Sequence, residues 1–225
     1  MNKLIISLLI LLIGAISIGC DGFRYVSYTR HPGSNVPFKI IPVYIDSGFG
    51  SADKTAIDDA VNQWNYVLNG YMEMRVVTHQ FNDEEAVIKE ADRSHGIIVK
   101  KVFSDNEMIP SIGMAEPLLE SFDGNGSNGM VLAWVNKLGG NRMYFVRDRL
   151  GDRDVLPVAL HEFGHALGAE HEAVKPENRL LLMYPYYNKK NGYSCIDMSA
   201  MNKVANWQYL DPKGLNYCDR SDVSR

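Results

Sequence analysis

Residues 161–171 read His-Glu-Phe-Gly-His-Ala-Leu-Gly-Ala-Glu-His. His161 and His165 are four apart, so on a helix they stand one turn apart on the same side. Two imidazoles so placed can hold one metal ion. Glu162 is rotated by about 60° from His165 at 3.6 residues per turn. Its carboxylate therefore faces the ion's surroundings without having to ligate it. Gly168 can adopt φ > 0, which ends a helix and swings the chain back. That turn can bring His171 to the same ion. Three neutral ring nitrogens with a fourth position open describe a catalytic rather than a structural zinc site.

The flanks support a helix through this stretch. Asp154 is placed to cap it, and Pro157 falls in the first turn, where a missing N–H costs little. Leu156, Leu160, Phe163 and Leu167 form an apolar stripe at spacings of four, three and four. Downstream, residues 181–186 read Leu-Leu-Met-Tyr-Pro-Tyr. Together these resemble the metzincin zinc peptidases, whose signature H-E-x-x-H-x-x-G-x-x-H is followed by a methionine turn. All five fixed positions match: His161, Glu162, His165, Gly168 and His171. Met183 then takes the Met-turn position, and Leu-Met-Tyr-Pro is most similar to the matrixin branch.

That resemblance implies an α/β (α+β) fold. It has a twisted mixed sheet of about five strands with one antiparallel edge strand, two long helices, and a small C-terminal part with the Met-turn and a last helix. It implies one catalytic Zn²⁺ on the three histidines, with Glu162 as general base in peptide-bond hydrolysis. Pro185 and Tyr186 would wall the pocket for the side chain that follows the cut. A strand over Ile112-Gly113-Met114-Ala115-Glu116-Pro117 would lie along the cleft edge, with Gly113, Met114 and Ala115 taking the substrate backbone by strand addition.

The N-terminus reads as a targeting segment. Lys3 precedes an apolar run from Leu4 to Ile18, 15 residues long, where a membrane span needs ~20. It suits a signal-peptide core. The run ends Ser17-Ile18-Gly19-Cys20, which resembles a bacterial lipoprotein signal, although Ser17 stands where leucine is usual. Ser17 and Gly19 also fit ordinary signal cleavage, and both routes cut before Cys20. The expected organisation is a signal peptide over 1–19, a lipidated Cys20 and tether over 20–36, and a catalytic domain over 37–225. The chain would be exported to a bacterial cell envelope and membrane-anchored through the lipid, or alternatively secreted. Cys195 and Cys218 then remain as a candidate disulfide, which an exported chain can keep; two buried free thiols are the alternative.

A chain of 225 residues, 46% hydrophobic and 22% charged, suits one sizeable domain. A net charge of −4 and the lack of a basic tract give no electrostatic footprint for nucleic acid. The expected partner is a protein or peptide substrate, met by a monomer. Strands are expected over Phe38–Asp46, where Pro42 suggests an edge or bulge, and over Met72–Val77, Gly96–Phe103, Gly129–Asn136 and Met143–Val146. A core-packing helix is expected from a Ser51 cap to about Asn69. Asn82–Glu85 reads as a charged loop or short helix. A last helix should follow an Asp197 cap. The Gly/Asn/Asp-dense stretch 122–129 can offer oxygens to calcium near Asp123, or be a plain turn. His31, His79 and His95 have no usable partner spacing. Against the peptidase stand two other readings: a zinc-containing envelope lipoprotein that binds but does not cut, and an envelope structural protein in which the motif is incidental.

Overall fold

The computed structural model describes residues 39–68, 71–77, 84–109, 118–120, 130–187 and 195–208. Within them lie seven strands: β1 (Lys39–Ile45), β2 (Met72–Val77), β3 (Ile97–Val102), β4 (Leu118–Glu120), β5 (Val131–Val135), β6 (Arg142–Val146) and β7 (Tyr186–Tyr187). Four α-helices accompany them: α1 (Ser51–Leu68), α2 (Glu84–Ser94), α3 (Val155–Ala166) and α4 (Met198–Gln208). The strands form one mixed sheet in the order β2-β1-β3-β6-β5-β4-β7. This is the expected fold class, with seven strands where about five were expected.

Direction along the sheet matters for the site. β1 pairs in parallel with β2 and with β3, and β3 in parallel with β6. β5 runs antiparallel to both β6 and β4, and β4 is parallel to β7. The one reversed strand is therefore β5, and it is internal, with β4 on its far side. The expected cleft-edge strand at 112–117 lies outside the described residues.

Strand alternation splits the core into two layers. Ile97 and Val99 of β3, and Met143 and Phe145 of β6, face one side with Trp64, Leu160 and Phe163. That side carries α1, α3 and α4. Ile98 faces the other side, beneath Ala91, Val87 and Ile88 of α2. Trp134 and Tyr144 stack there at 4.7 Å, beside Val102 and Val146.

Two polar ties lock α1 in place. Trp64 Nε1 donates to Leu160 O of α3 at 3.0 Å. The buried Asn65 amide donates to Met74 O and accepts from Met74 N, both at 2.7 Å, so it acts as one more rung on β2.

Three local expectations need correction. Pro42 does not mark an edge: β1 is flanked by β2 and β3. Pairing with β3 begins only at Val43, so the proline sits where β2 alone is the neighbour. Ser51 is the first helical residue rather than the cap, because Lys54 N already bonds Gly50 O at 3.0 Å. Asp154 does stand at the N-cap of α3, but its side chain makes no capping bond. Its carboxylate accepts instead from Gly151 N at 2.8 Å and from Tyr187 OH at 3.0 Å. Of the acidic segment expected as a loop or short helix at 82–85, Glu84 and Glu85 are the first residues of α2, and 82 and 83 lie outside the described residues.

Candidate metal centre

α3 places its ligands by period and its exit by glycine. His161 and His165 lie on the helix, both buried. The helix ends at Ala166 with Leu167 as its C-cap, and Gly168 follows at φ +102°, a conformation that side-chain-bearing residues rarely adopt. Gly168 N bonds His165 O at 3.0 Å and Ala169 N bonds Gly164 O at 2.8 Å. This crossed pair is a Schellman ending. It turns the chain so that His171 comes back over α3.

The three Nε2 atoms converge. His161 and His165 are 3.0 Å apart there, His165 and His171 3.1 Å, and His161 and His171 3.2 Å. Nδ1 of His161 sits 2.6 Å from Leu182 O, and Nδ1 of His165 sits 2.7 Å from Ala169 O. A carbonyl only accepts, so both Nδ1 atoms carry the proton. The Nε2 lone pairs then point at one another, which is repulsive unless a cation lies between them. Tetrahedral zinc with Zn–N of ~2.0–2.1 Å needs ligand nitrogens about 3.3 Å apart, close to what is seen. The donor set therefore fits zinc.

Electrostatics agree. Burial first, then the neighbouring imidazoles, hold His161 well below the usual histidine range. Burial pushes His165 down to about 4 and His171 to about 3. All three are thus neutral near pH 7, the form that ligates. Glu162 is buried, and burial raises its carboxyl well above the ordinary range. Neither of its oxygens has a hydrogen-bond partner among the described residues. A buried carboxylate so placed beside a metal site is satisfied by a cation's field and by a proton donor such as bound water.

The floor of the site comes from the Met-turn. A Cβ built on Gly164 would lie 2.6 Å from Met183 Sδ and 3.1 Å from its Cε. Met183 therefore packs against the helix between His161 and His165, close over the glycine. Leu182 O receives the His161 proton, while Leu182 N bonds Asp197 Oδ2 at 2.6 Å. The other Asp197 oxygen takes Ala200 N at 2.9 Å, capping α4 as expected. Glu172 N bonds Met183 O at 2.8 Å. Lys203 of α4 reaches His171 O at 3.3 Å and pairs with Glu172 at 3.7 Å. Trp207, also of α4, covers Gly168: a Cβ there would meet its ring at 2.0 Å.

The structure thus brings together His161, Glu162, His165, Gly168, His171 and Met183. Pro185 is buried and Tyr186 half-buried directly after the Met-turn, where Pro185 O accepts Leu119 N at 3.0 Å. Gly113, Met114, Ala115, Asp123, Cys20 and Cys218 lie outside the described residues, and with them the calcium loop, the lipid site and one half of the Cys195 pairing. Gly164, Asp197's second bond and Lys203 were missed as site residues. Gly164 did leave a signal: a glycine inside a helix costs about 1 kcal/mol against alanine, so it calls for a packing reason.

No curated protein matches in sequence. Among solved structures the chain is similar to metalloproteinase-II from Bacteroides fragilis, with 14% identity, TM-score 0.43, and coverage of 83% of this chain and 58% of that one. It is similar to myroilysin at 13% identity and TM-score 0.38, covering 75% of this chain and 91% of that one. High choriolytic enzyme 1, a hatching enzyme zinc-protease from Oryzias latipes (Medaka fish), shares 11% identity at TM-score 0.38, with 76% and 90% covered. The matrixin family model matches residues 50–205, well over half of the sequence. By that match, with its signature histidines gathered at one point, the chain belongs to the matrixin family of metallopeptidases.

Proposed function

We propose that the chain is a zinc-dependent endopeptidase that cuts peptide bonds in proteins with Glu162 as general base. The observation that carries this is the unpartnered, buried Glu162 carboxylate one position along the helix from a ligand of the three-histidine cluster. His161, His165 and His171 would hold Zn²⁺, with Nδ1–H of the first two donating to Leu182 O and Ala169 O. The ion would supply Lewis acidity, acidifying a water and polarising the scissile carbonyl. Glu162 accepts the water's proton on a carboxylate oxygen as the water oxygen bonds the carbonyl carbon. It then gives that proton to the amine nitrogen as the C–N bond breaks. Burial keeps bulk water from levelling this carboxylate's basicity. The test is a pair of variants. Glu162→Ala is expected to keep about one zinc per chain and to lose ~10²–10⁴-fold in peptide hydrolysis. His165→Ala is expected to lose metal and activity together. Near wild-type cleavage by Glu162→Ala would overturn the mechanism.

The surroundings of the enzyme belong to the same proposal. The apolar run ending at Cys20 supports export and lipid anchorage in a bacterial envelope, and Cys195 and Cys218 support a disulfide. Mass spectrometry of the mature chain reads both. An unmodified Cys20 or two alkylatable thiols would remove the corresponding element.

A further inference from the structure

An extended peptide presented to this metal centre needs backbone partners beside it, since main-chain hydrogen bonds are what strand addition offers. Two strands border the site. β7 begins three residues after Met183, and the Tyr187 hydroxyl reaches Asp154 at the start of α3. β5 packs on α3, and the loop that follows it bonds the metal helix through Gly139 N and His165 O at 2.9 Å.

The slot between those two strands is filled by the chain itself. β4 pairs antiparallel with β5, Leu118 opposite Ala133 and Leu119 opposite Val131. On its other edge it pairs in parallel with β7, Leu119 opposite Tyr186 and Glu120 opposite Tyr187. It is three residues long, and its register on β5 shifts between Leu118 and Leu119. Leu118 is buried in the core that holds Leu160 and Met183, and β4 packs on α3. A three-residue strand held on both edges, with one side chain sunk beside the metal helix, has the form of a bound peptide.

We infer that Leu118–Glu120 is an internal competitor occupying the backbone slot that a substrate peptide must take, so that the enzyme is self-restrained and substrate displaces β4. This rests on the peptidase reading above. The rungs that Leu118–Glu120 make are replaceable one for one by a peptide making the same bonds.

Two measurements on the full chain test it. The first is amide exchange at Leu119 with and without a peptide hydroxamate, whose two oxygens chelate zinc. Leu119 N–H, bonded to Pro185 O in the free protein, is expected to be protected and to lose protection when the inhibitor saturates the site. Protection that persists or rises with inhibitor bound overturns the inference while leaving the peptidase reading intact. A wild type that binds neither zinc nor inhibitor overturns both. The second is Leu119→Pro, which removes the N–H donor. It is expected to lower KM for an unstructured peptide about tenfold or more with zinc content unchanged, whereas Leu119→Ala, which keeps the donor, moves KM less. A Leu119→Pro protein with full zinc and an unchanged or higher KM would show that β4 is a structural strand.

Discussion

Gly164 shows how tightly the site is set at the level of single atoms. Inside a helix, alanine normally outranks glycine by ~0.8–1.0 kcal/mol. Here its methyl would sit 2.6 Å from Met183 Sδ, with Trp64 Cζ2 also in contact at 3.4 Å. Overpacking of this kind costs ~1–3 kcal/mol and exceeds the propensity gain. The displaced Met183 adjoins Leu182, whose carbonyl orients His161. So Gly164→Ala should destabilise the protein by about 1 kcal/mol and weaken zinc binding. Adding Met183→Ala should recover part of the stability, because the two residues are in contact and their effects are not additive. Denaturant melts and zinc titrations of the two singles and the double form the cycle. Strict additivity would show that Met183 does not press on this glycine.

Among the elements, α4 does most to hold the parts of the site together. Its N-cap Asp197 divides two oxygens between Ala200 N and Leu182 N, and so ties a helix start to the loop that aims His161. Removing a cap costs ~1 kcal/mol. Leaving the buried Leu182 N–H unpaired costs a further ~1–3 kcal/mol. Asp197→Ala is therefore expected to lose about 2–4 kcal/mol, and Asp197→Asn, with one acceptor oxygen for two donors, roughly half as much. Equal stability of all three proteins in urea would remove this role. The cap itself was legible in the sequence, as were α1, α3 and the strands β1, β2, β3, β5 and β6, because each has a period or a capping residue of its own. Asp197's second bond was not, since it joins positions 15 apart through a loop backbone. β7 is two residues long and β4 three, too short for any periodicity to register. The placement of Pro42 inside the sheet depended on where β3 begins to pair, which no local pattern carries. The convergence of the three histidines was readable because one helix and one glycine turn fix all of their spacing.

For the molecule as a whole, the histidine cluster is a point where separate parts of the chain converge. α3 supplies two of its imidazoles, the turn after Gly168 supplies the third, and the Met-turn with α4 closes the floor. Without a cation the three Nε2 atoms, 3.0–3.2 Å apart, oppose that meeting. With one they hold it, so metal affinity becomes folding free energy. A ligand that binds only the folded state stabilises by about 4.1 kcal/mol when free at 1,000 times its Kd. For a domain of this size each kcal/mol moves Tm by ~2–4 °C, so stripping zinc with a chelator is expected to lower Tm by roughly 8–16 °C. One equivalent of zinc, added after the chelator is removed, should restore it. Magnesium should not, since it favours oxygen donors over imidazole. Amide exchange should localise the loss: Ala169 and Glu172 N–H, bonded to Gly164 O and Met183 O, should open first, while Val99 in the sheet centre stays protected. A Tm insensitive to chelation, in protein shown to have lost its zinc, would mean that the histidine cluster is assembled by packing alone, and that the metal serves the chemistry without holding the fold.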